Sequence, residues 1–591
     1  MEKAKKNIYD PLIYHNELKK IKKNKYKKKI NMSFLSNFTS ELLDTFIKVE
    51  LNNRGFSSNI DFNPYDQIEQ IVLNKKSDIY KKKTDVIVLA IRLENLLPSF
   101  LLKTINNKKE LSKKITEINK RFLLLIKTIR LNNKFSKIIV FNTNLDEYVS
   151  QNSLSLSIKN NLDEIVREIN LSLVNISKKY NDVFVFDLKK TIESIGLKNA
   201  YDKKLNFLSR MPFSSSAQIE ISIQLSRFIK AIFVPPKKCL ILDADNVLWG
   251  GIIGEDKLDG IKLSEDFPGN IYKKFHEYIL NLRKKGVLLA LASKNNQKDV
   301  LEVFEKHPDC ILKKKHFSAL EINWNDKATN IKKIAEKLNI GLDSMVFFDD
   351  NPAERELIKQ KIPEVNIIEI NDNPLIFEES IINSEFFDHI LITKDDQKRA
   401  DMYLSDDKRK QFAKKITNID DYLISLKTEV KIGMINSSTI KRSVQLINKT
   451  NQFNLTVKRK SESEVKNLIK KNSIGLWIRV SDKFGDNGLV GIIIAIPDKE
   501  KKTYHIDTFL LSCRIIGRGI EDIFLSELLK RIKKNKNFKN VTGEYIKSEK
   551  NKIVEDYYKK QGFRKKNNLW IQKIKDFKSS KYAKFVKINN K

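Results

Sequence analysis

The chain has 591 residues, of which 41% are hydrophobic, and a formal net charge of +37, so it is long enough for about three to four globular domains. The excess positive charge is chiefly lysine spread through every region, which reads as compositional bias and argues against a nucleic-acid-binding protein. No apolar stretch approaches the roughly 20 residues needed to span a bilayer, the N-terminus carries no secretory signal, and Cys239, Cys310 and Cys513 lack disulfide or zinc-ligand patterning, which fits a reducing cytoplasm.

Residues 1–30 form a basic leader, densest from Lys19 to Lys29, where a solvated helix or loop is expected. Such a basic surface would attract an acidic protein partner. Residues 31–235 alternate helical stretches with apolar strand-like runs at Asp85–Ile91, Lys137–Phe141 and Val183–Phe186, the pattern of a parallel sheet covered on both faces. Pro235-Pro236 marks a boundary.

Residues 236–383 carry the most informative strings. Leu240 to Leu242 predicts a buried strand that ends in Asp243 and Asp245; strand alternation sends both carboxylates to one side. Two carboxylates that close ask for a cation or a shared proton, and a hard ion such as Mg²⁺ suits them. Two surface aspartates in a loop fit the Asp-x-Asp alone equally well. Further strand-like runs, Val287–Ala292 and Met345–Phe348, end in Ser293-Lys294-Asn295 and Asp349-Asp350-Asn351-Pro352, and Asn323-Trp324-Asn325-Asp326-Lys327 opens a helix. Open parallel α/β sheets bind ligands at that edge.

The set makes up a phosphoryl-transfer site. Asp243 attacks phosphorus. Asp245 gives a proton to the leaving oxygen and later takes one from water. Ser293 bonds a phosphoryl oxygen, and Lys327 neutralises its charge. Asp349 and Asp350 complete an Mg²⁺ site with Asp243 and the main-chain carbonyl of Asp245. The short span between Asp243 and Ser293 leaves Gly250–Pro268 as a flap and no cap domain, so the site is open to a bulky or protein-borne substrate. Trp249 and Trp324 are candidates to line its entrance, with core packing the ordinary alternative. His307 and His316 read as structural or surface residues.

Residues 384–427 form a helical bridge, and residues 428–591 mix strands and helices. There a strand, His505–Leu511, runs into Arg514-x-x-Gly517-Arg518-Gly519 and a helix over about 520–533. Glycines in that position let backbone N–H groups approach an anion at a helix N-terminus, as a pyrophosphate requires. Cys513, beside Arg514, is either a thiolate-prone acyl acceptor or a buried inert thiol. The amide-rich string Gln445 to Thr456 would bind a polar substrate arm or make turn hydrogen bonds, and Phe484–Gly491 reads as a hairpin turn.

The order Asp243-x-Asp245, Ser293-Lys294-Asn295-Asn296, Lys327 and Asp349-Asp350 resembles the haloacid dehalogenase (HAD) superfamily. Leu248-Trp249-Gly250-Gly251, Gly254-Glu255-Asp256, His307-Pro308-Asp309 and Asp349 to Arg355 resemble its FkbH-like branch (subfamily IIIC). Ser36-Asn37-Phe38-Thr39 and Met211-Pro212-Phe213-Ser214 resemble the SGNH-hydrolase-like domain of FkbH-like proteins; with no histidine between His15 and His276, Ser36 lacks a base, and a docking or scaffolding role follows. Arg514 to Gly519 with Asn551, Tyr557-Tyr558 and Gly562-Phe563 resembles the acyl-CoA region of GNAT acyltransferases, where Arg514, Gly517, Arg518, Gly519, Asn551 and Tyr558 would hold acyl-CoA or the phosphopantetheine arm of a carrier. The implied fold is multidomain α/β, a Rossmann-like HAD core flanked by an SGNH-like α/β domain and a GNAT-like α+β domain. The implied activity takes a glyceryl unit from 1,3-bisphosphoglycerate, removes phosphate and loads an acidic acyl carrier protein. One departure is Ala292, where family members often carry cysteine. Two alternatives are a phosphatase fused to a CoA-dependent N-acyltransferase acting on an amino sugar, and a non-catalytic scaffold.

Overall fold

A computed structural model of the protein describes residues 9–21, 28–81, 83–96, 108–144, 162–180, 182–390, 392, 394–413, 416, 418–470, 472–549 and 551–590. The chain divides into two compact units, residues 1–234 and 235–591. Among the described residues, no helix is long and apolar enough to cross a membrane.

In the first unit, helix α1 (Pro11–Lys20) is capped by Asp10, whose carboxylate accepts from Leu12 N at 2.9 Å, with Pro11 at its first position. The leader is therefore not wholly solvated: Tyr14 is buried edge-on against Phe46 and its hydroxyl donates to Glu50 at 2.8 Å. The lysine run falls in part on residues 22–27, outside the described residues. Five strands follow, β1 (Lys28–Ser36), β2 (Phe56–Phe62), β3 (Val86–Ala90), β4 (Lys137–Phe141) and β5 (Val183–Phe186), all parallel in the order β2-β1-β3-β4-β5. Their side chains alternate between two cores: Ile87, Leu89, Ile138 and Val140 on one face, Val86, Val88, Ile139 and Phe141 on the other. Helices α2 (Leu43–Asn53), α3 (Lys108–Asn132), α4 (Leu162–Lys179) and α5 (Ser215–Phe233) supply the covering layers.

The second unit begins with another parallel sheet. Strands β6 (Cys239–Leu242), β7 (Leu288–Ser293), β8 (Ala319–Ile322), β9 (Met345–Phe348) and β10 (Asn366–Ile367) lie in the order β10-β9-β6-β7-β8. All four residues of β6 are buried, as its continuous apolar run demands of a strand covered on both faces. A kinked helix, α6 (Ile253–Gly260), forms the flap, and α7 (Gly269–Lys284) buries Tyr272, Phe275, Ile279 and Leu282 at helical spacing. Helices α8 (Gln297–Lys306), α9 (Lys327–Leu338) and α10 (Pro352–Lys361) connect the strands.

Helix α11 (Arg399–Ala413) leads to a mixed sheet around a third core. Its strands are β11 (Thr428–Met434), β12 (Phe453–Asn454), β13 (Ile474–Asp482), β14 (Gly485–Asp498), β15 (Thr503–Leu511), β16 (Asn540–Glu544), β17 (Arg564–Lys566), β18 (Leu569–Lys573) and β19 (Val586–Asn590). Their order is β17-β18-β16-β15-β14-β13-β11-β19, with β12 on β15. Helix α12 (Ile440–Lys449) precedes β12, and α13 (Ile520–Lys533) joins β15 to β16. The molecule is thus multidomain α/β, with the β13–β14 hairpin where the sequence places a turn.

Candidate active site

Register brings the acidic groups together. β6 and β9 are neighbours with Leu242 opposite Phe348, so the next residues, Asp243 and Asp349, emerge side by side; Asp243 N donates to Phe348 O at 3.1 Å. β7 lies on the other side of β6, with Leu291 opposite Leu242, which sets Ser293 at the same edge. Strand order reverses around β6, the place where open parallel sheets form their ligand crevice.

Helix caps fix the remaining groups. Asp326 caps α9 by accepting from Thr329 N at 3.1 Å, which makes Lys327 the first residue of that helix. Asn351 caps α10 by accepting from Ala353 N at 2.9 Å, with Pro352 at the first position, so Asp349 and Asp350 sit just ahead of a helix N-terminus. Arg355, one turn into α10, donates to the main-chain carbonyls of Asp349 at 2.7 Å and Asp350 at 2.8 Å. That clamp holds the acidic pair from behind.

Lys327 is buried and bridges two carboxylates, 2.8 Å from Asp243 and 2.5 Å from Asp349. Burial works against its charge, but Asp243 and Asp349 outweigh it and raise its pKa above the ordinary value. Burial, with the neighbouring charge of Asp243, pushes Asp349 up to about 7 against the pull of Lys327, and Asp350 rises for the same two reasons. Carboxylate oxygens of Asp243, Asp349 and Asp350 lie within 4.8 Å of one another. Asp243 Oδ1 is buried and has no hydrogen-bond partner among the described residues. Three converging oxygen donors, one of them unsatisfied, fit a hard divalent cation.

Asp245 stands apart from that group. The strand ends at Leu242, so period-two alternation does not govern the next residues. Its carboxylate accepts from Trp249 Nε1 at 2.9 Å, Ile253 N at 3.1 Å and Asn295 Nδ2 at 2.9 Å. Burial raises its pKa, and those three bonds pull it back in part. The same Asn295 carboxamide donates to Ser293 Oγ at 3.0 Å, tying the two loops. Asn295 is the positioning residue that the motif string contains but the spacing alone does not single out.

The two tryptophans separate. Trp249 is fully buried, its indole spent on Asp245, whereas Trp324 is 70% exposed and donates to Asn296 Oδ1 at 3.1 Å. Gly251, at φ +99°, lets Ile252 N donate to Asp256 at 2.7 Å at the base of the flap; a Cβ there would sit 2.5 Å from that carboxylate.

In the C-terminal sheet, Arg514, Arg518 and Asn551 already have partners within the chain. Arg518 is buried and donates to Asp482 at 2.9 Å and Arg514 O at 2.7 Å. Arg514 reaches Ser512 Oγ at 3.2 Å and also the Met402 sulfur. Asn551 donates to Asn454 O and Ile546 O, both at 2.9 Å. Tyr558 is buried under Gly543 and beside Phe563 and Trp570, and Gly517 and Gly519 take left-handed conformations. Cys513 opens a single turn, Cys513–Ile515, at the end of β15.

Residues 31–224 match the family described as FkbH, N-terminal domain, and residues 264–373 match the family described as acid phosphatase. The N-terminal part of the Bacteroides fragilis protein BF1531, which contains a phosphatase domain and was solved complexed with Mg, is 28% identical with a TM-score of 0.55, over 63% of this chain and 98% of that one. Two acetyltransferases are also similar to part of the chain. The ribosomal-protein-S18-alanine N-acetyltransferase of Escherichia coli is 9% identical at a TM-score of 0.20, over 24% of this chain and 94% of that one. A GNAT acetyltransferase from Streptococcus pneumoniae is 14% identical at 0.21, over 24% and 99%. No curated protein matches the chain.

Sheet, edge and acidic cluster define a phosphatase domain of the HAD type, which implies a phosphorylated substrate. The chain carries an FkbH N-terminal domain followed by that phosphatase domain, the arrangement of the FkbH-like proteins it resembles.

Proposed function

We propose that the protein is an Mg²⁺-dependent phosphatase and acyltransferase that moves a glyceryl unit from 1,3-bisphosphoglycerate to an acyl carrier protein. The observation that carries the phosphatase half is Lys327 bridging Asp243 and Asp349 while Asp243 Oδ1 stays buried and unpartnered. Asp243, Asp349, Asp350 and the main-chain carbonyl of Asp245 would hold the ion, which supplies charge neutralisation for the phosphoryl oxygens.

The residues divide the work. A thiol, for which Cys513 is the candidate, attacks the acyl phosphate; the carbonyl C–O bond breaks, phosphate leaves and a thioester forms. Asp243 then attacks the remaining phosphate ester, and the P–O bond to the glyceryl oxygen breaks. Asp245, held by Trp249, Ile253 and Asn295, gives that oxygen its proton and afterwards takes one from the water that frees Asp243. Ser293 and Lys327 bond the transferred phosphoryl oxygens. The carrier thiol finally displaces the glyceryl group from the protein thiol. The basic surface suits an acidic carrier. The N-terminal domain, residues 31–235, serves docking: the Ser36 hydroxyl is spent on Phe38 O at 2.8 Å and on Ser40 at 2.9 Å, and the sequence supplies no histidine base for it.

Intact-mass spectrometry tests this reading. Protein and carrier are incubated with 1,3-bisphosphoglycerate and Mg²⁺. A carrier heavier by one glyceryl group, lost in a Cys513→Ser variant, is expected. Free phosphate with an unmodified carrier reduces the reading to simple phosphatase action.

A further inference from the structure

β15 and β16 are parallel neighbours and pair from Thr503–Asn540 to Ile506–Gly543. Past that register they part, and β16 no longer covers the main-chain edge of β15. The chain's own residues 453–456 take that edge. Phe453 and Asn454 pair antiparallel with Leu511 and Leu510. Leu455 N donates to Phe509 O at 3.1 Å, and the Thr456 hydroxyl donates to Asp507 O at 3.0 Å. From the far side, Ile546 N donates to Leu455 O at 2.8 Å and Asn551 donates to Asn454 O. The Phe453 ring packs on Phe509 and Tyr557, with centroids 5.4 and 5.3 Å away. The segment is bonded on both sides, as an inserted strand is.

The helix end of the same region is crowded. Gly519 is the N-cap of α13, and the Tyr582 ring lies where its Cβ would project, 2.2 Å away. Arg518 is turned inward to Asp482. An acyl-CoA needs free N–H groups for its pyrophosphate and a free strand edge for its extended diamide arm. From a pyrophosphate at Arg514–Gly519, the arm has the edge of β15 to follow. The strand edge is taken by this chain, and the Tyr582 ring stands against the helix end.

We infer that the wedge between β15 and β16 is closed to the extended arm of CoA, and that residues 453–456 are its built-in ligand. The same stretch joins the domain to the phosphatase. Gln452 donates to Asn339 at 3.1 Å, and from α12 Gln445 donates to Asp396 at 2.5 Å, with Lys449 3.6 Å from that carboxylate. Arg399, paired with Asp396, donates to Gly286 O at 3.0 Å. Residues 445–456 thus grip the phosphatase at one end and fill the wedge at the other, so the domain is a platform for the phosphatase rather than a CoA-dependent N-acyltransferase. This stands whatever acyl donor the phosphatase site uses.

Hydrogen exchange on the full chain, with and without millimolar acetyl-CoA, tests the inference. Peptides covering 453–456 and 544–548 are expected to be as protected as β15, and acetyl-CoA is expected to change no peptide between 503 and 525. Fast exchange at 453–456, or protection of 507–519 by acetyl-CoA, overturns it. Asn551→Ala removes the bond to Asn454 O and a second to Ile546 O, the residue whose N–H holds Leu455, so exchange at 453–456 should rise by about tenfold, with peptides of β6 and β9 reporting that the phosphatase remains folded. Unchanged exchange at 453–456 in that variant would also overturn it. Phosphate release, read separately, reports on the phosphatase proposal alone.

Discussion

Two buried ion networks lie in the second unit, and they are built from the same materials. In the phosphatase domain, Lys327 sits between Asp243 and Asp349 with Asp350 close by. In the C-terminal domain, Arg409 grips Asp482 with two bonds, at 2.7 and 2.9 Å, and reaches Asp406 at 3.0 Å, while Arg518 adds a third bond to Asp482. The second network is closed: Asp482 also accepts from Phe484 N, and each guanidinium meets a carboxylate. The first sets three carboxylates around one ammonium, which bonds two of them, and leaves Asp243 Oδ1 buried and unmatched among the described residues. Desolvated charge that the fold itself does not satisfy marks chemistry, and charge that it satisfies fully marks architecture.

The largest expected effect would break this contrast if it failed. Asp243→Asn should lower Mg²⁺-dependent phosphate release by on the order of 10³-fold or more, because a nucleophile has no substitute. Its thermal midpoint should stay close to the parent's, since the change removes like-charge repulsion. A pronounced loss of folding with normal turnover would place Asp243 among the architectural groups.

Asp482→Ala is the mirror experiment. It leaves Arg409 and Arg518 buried without their shared carboxylate, a loss of about 3–5 kcal/mol. Urea unfolding should show it, while phosphate release per folded molecule stays near the parent value.

How much of this contrast is legible in sequence depends on range. Asp243, Ser293 and Asp349 follow apolar runs, and Lys327 and Asp350 adjoin capped helix starts, so local pattern places them at one edge. Asp245 is different. Its orientation comes from Trp249, Ile253 and Asn295 rather than from strand alternation, and a bond across fifty positions has no periodic signal. The Arg514 to Gly519 spacing is equally plain, yet Asp482 and Tyr582, both remote in the chain, decide what that loop faces. β12 is two residues long inside an amide-rich string, too short for any period to reveal. In the first unit, α1 is hidden by the lysines around it, because Tyr14 alone carries its buried face.

His276 sharpens the contrast from inside the phosphatase domain. It is fully buried, its ring N–H donates to Leu248 O at 2.7 Å, and burial pushes its pKa down to about 4 from 6.5. The unfolded chain binds the proton more readily than the native state. Stability from this group is therefore complete above pH 6.5 and is lost as the pH falls through about 4, by roughly 3 kcal/mol. His276→Gln should flatten the dependence of unfolding free energy on pH across that window by about one proton. An unchanged slope would show that the ring is charged in the native state.

Asn295→Ala probes the edge between the two behaviours at the smallest scale. The carboxamide touches neither of the groups that Lys327 bridges; it holds Asp245 and Ser293 together. Losing it should free Asp245 to turn and cost about 10- to 100-fold in kcat, with KM for a small phosphate ester nearly unchanged. A leaving group of low pKa, such as a nitrophenolate, needs no proton on departure, so the defect should shrink with it if Asn295 acts through the acid. A defect equal for both leaving groups would mean that the loop geometry around Ser293, and not the orientation of Asp245, is what Asn295 sustains.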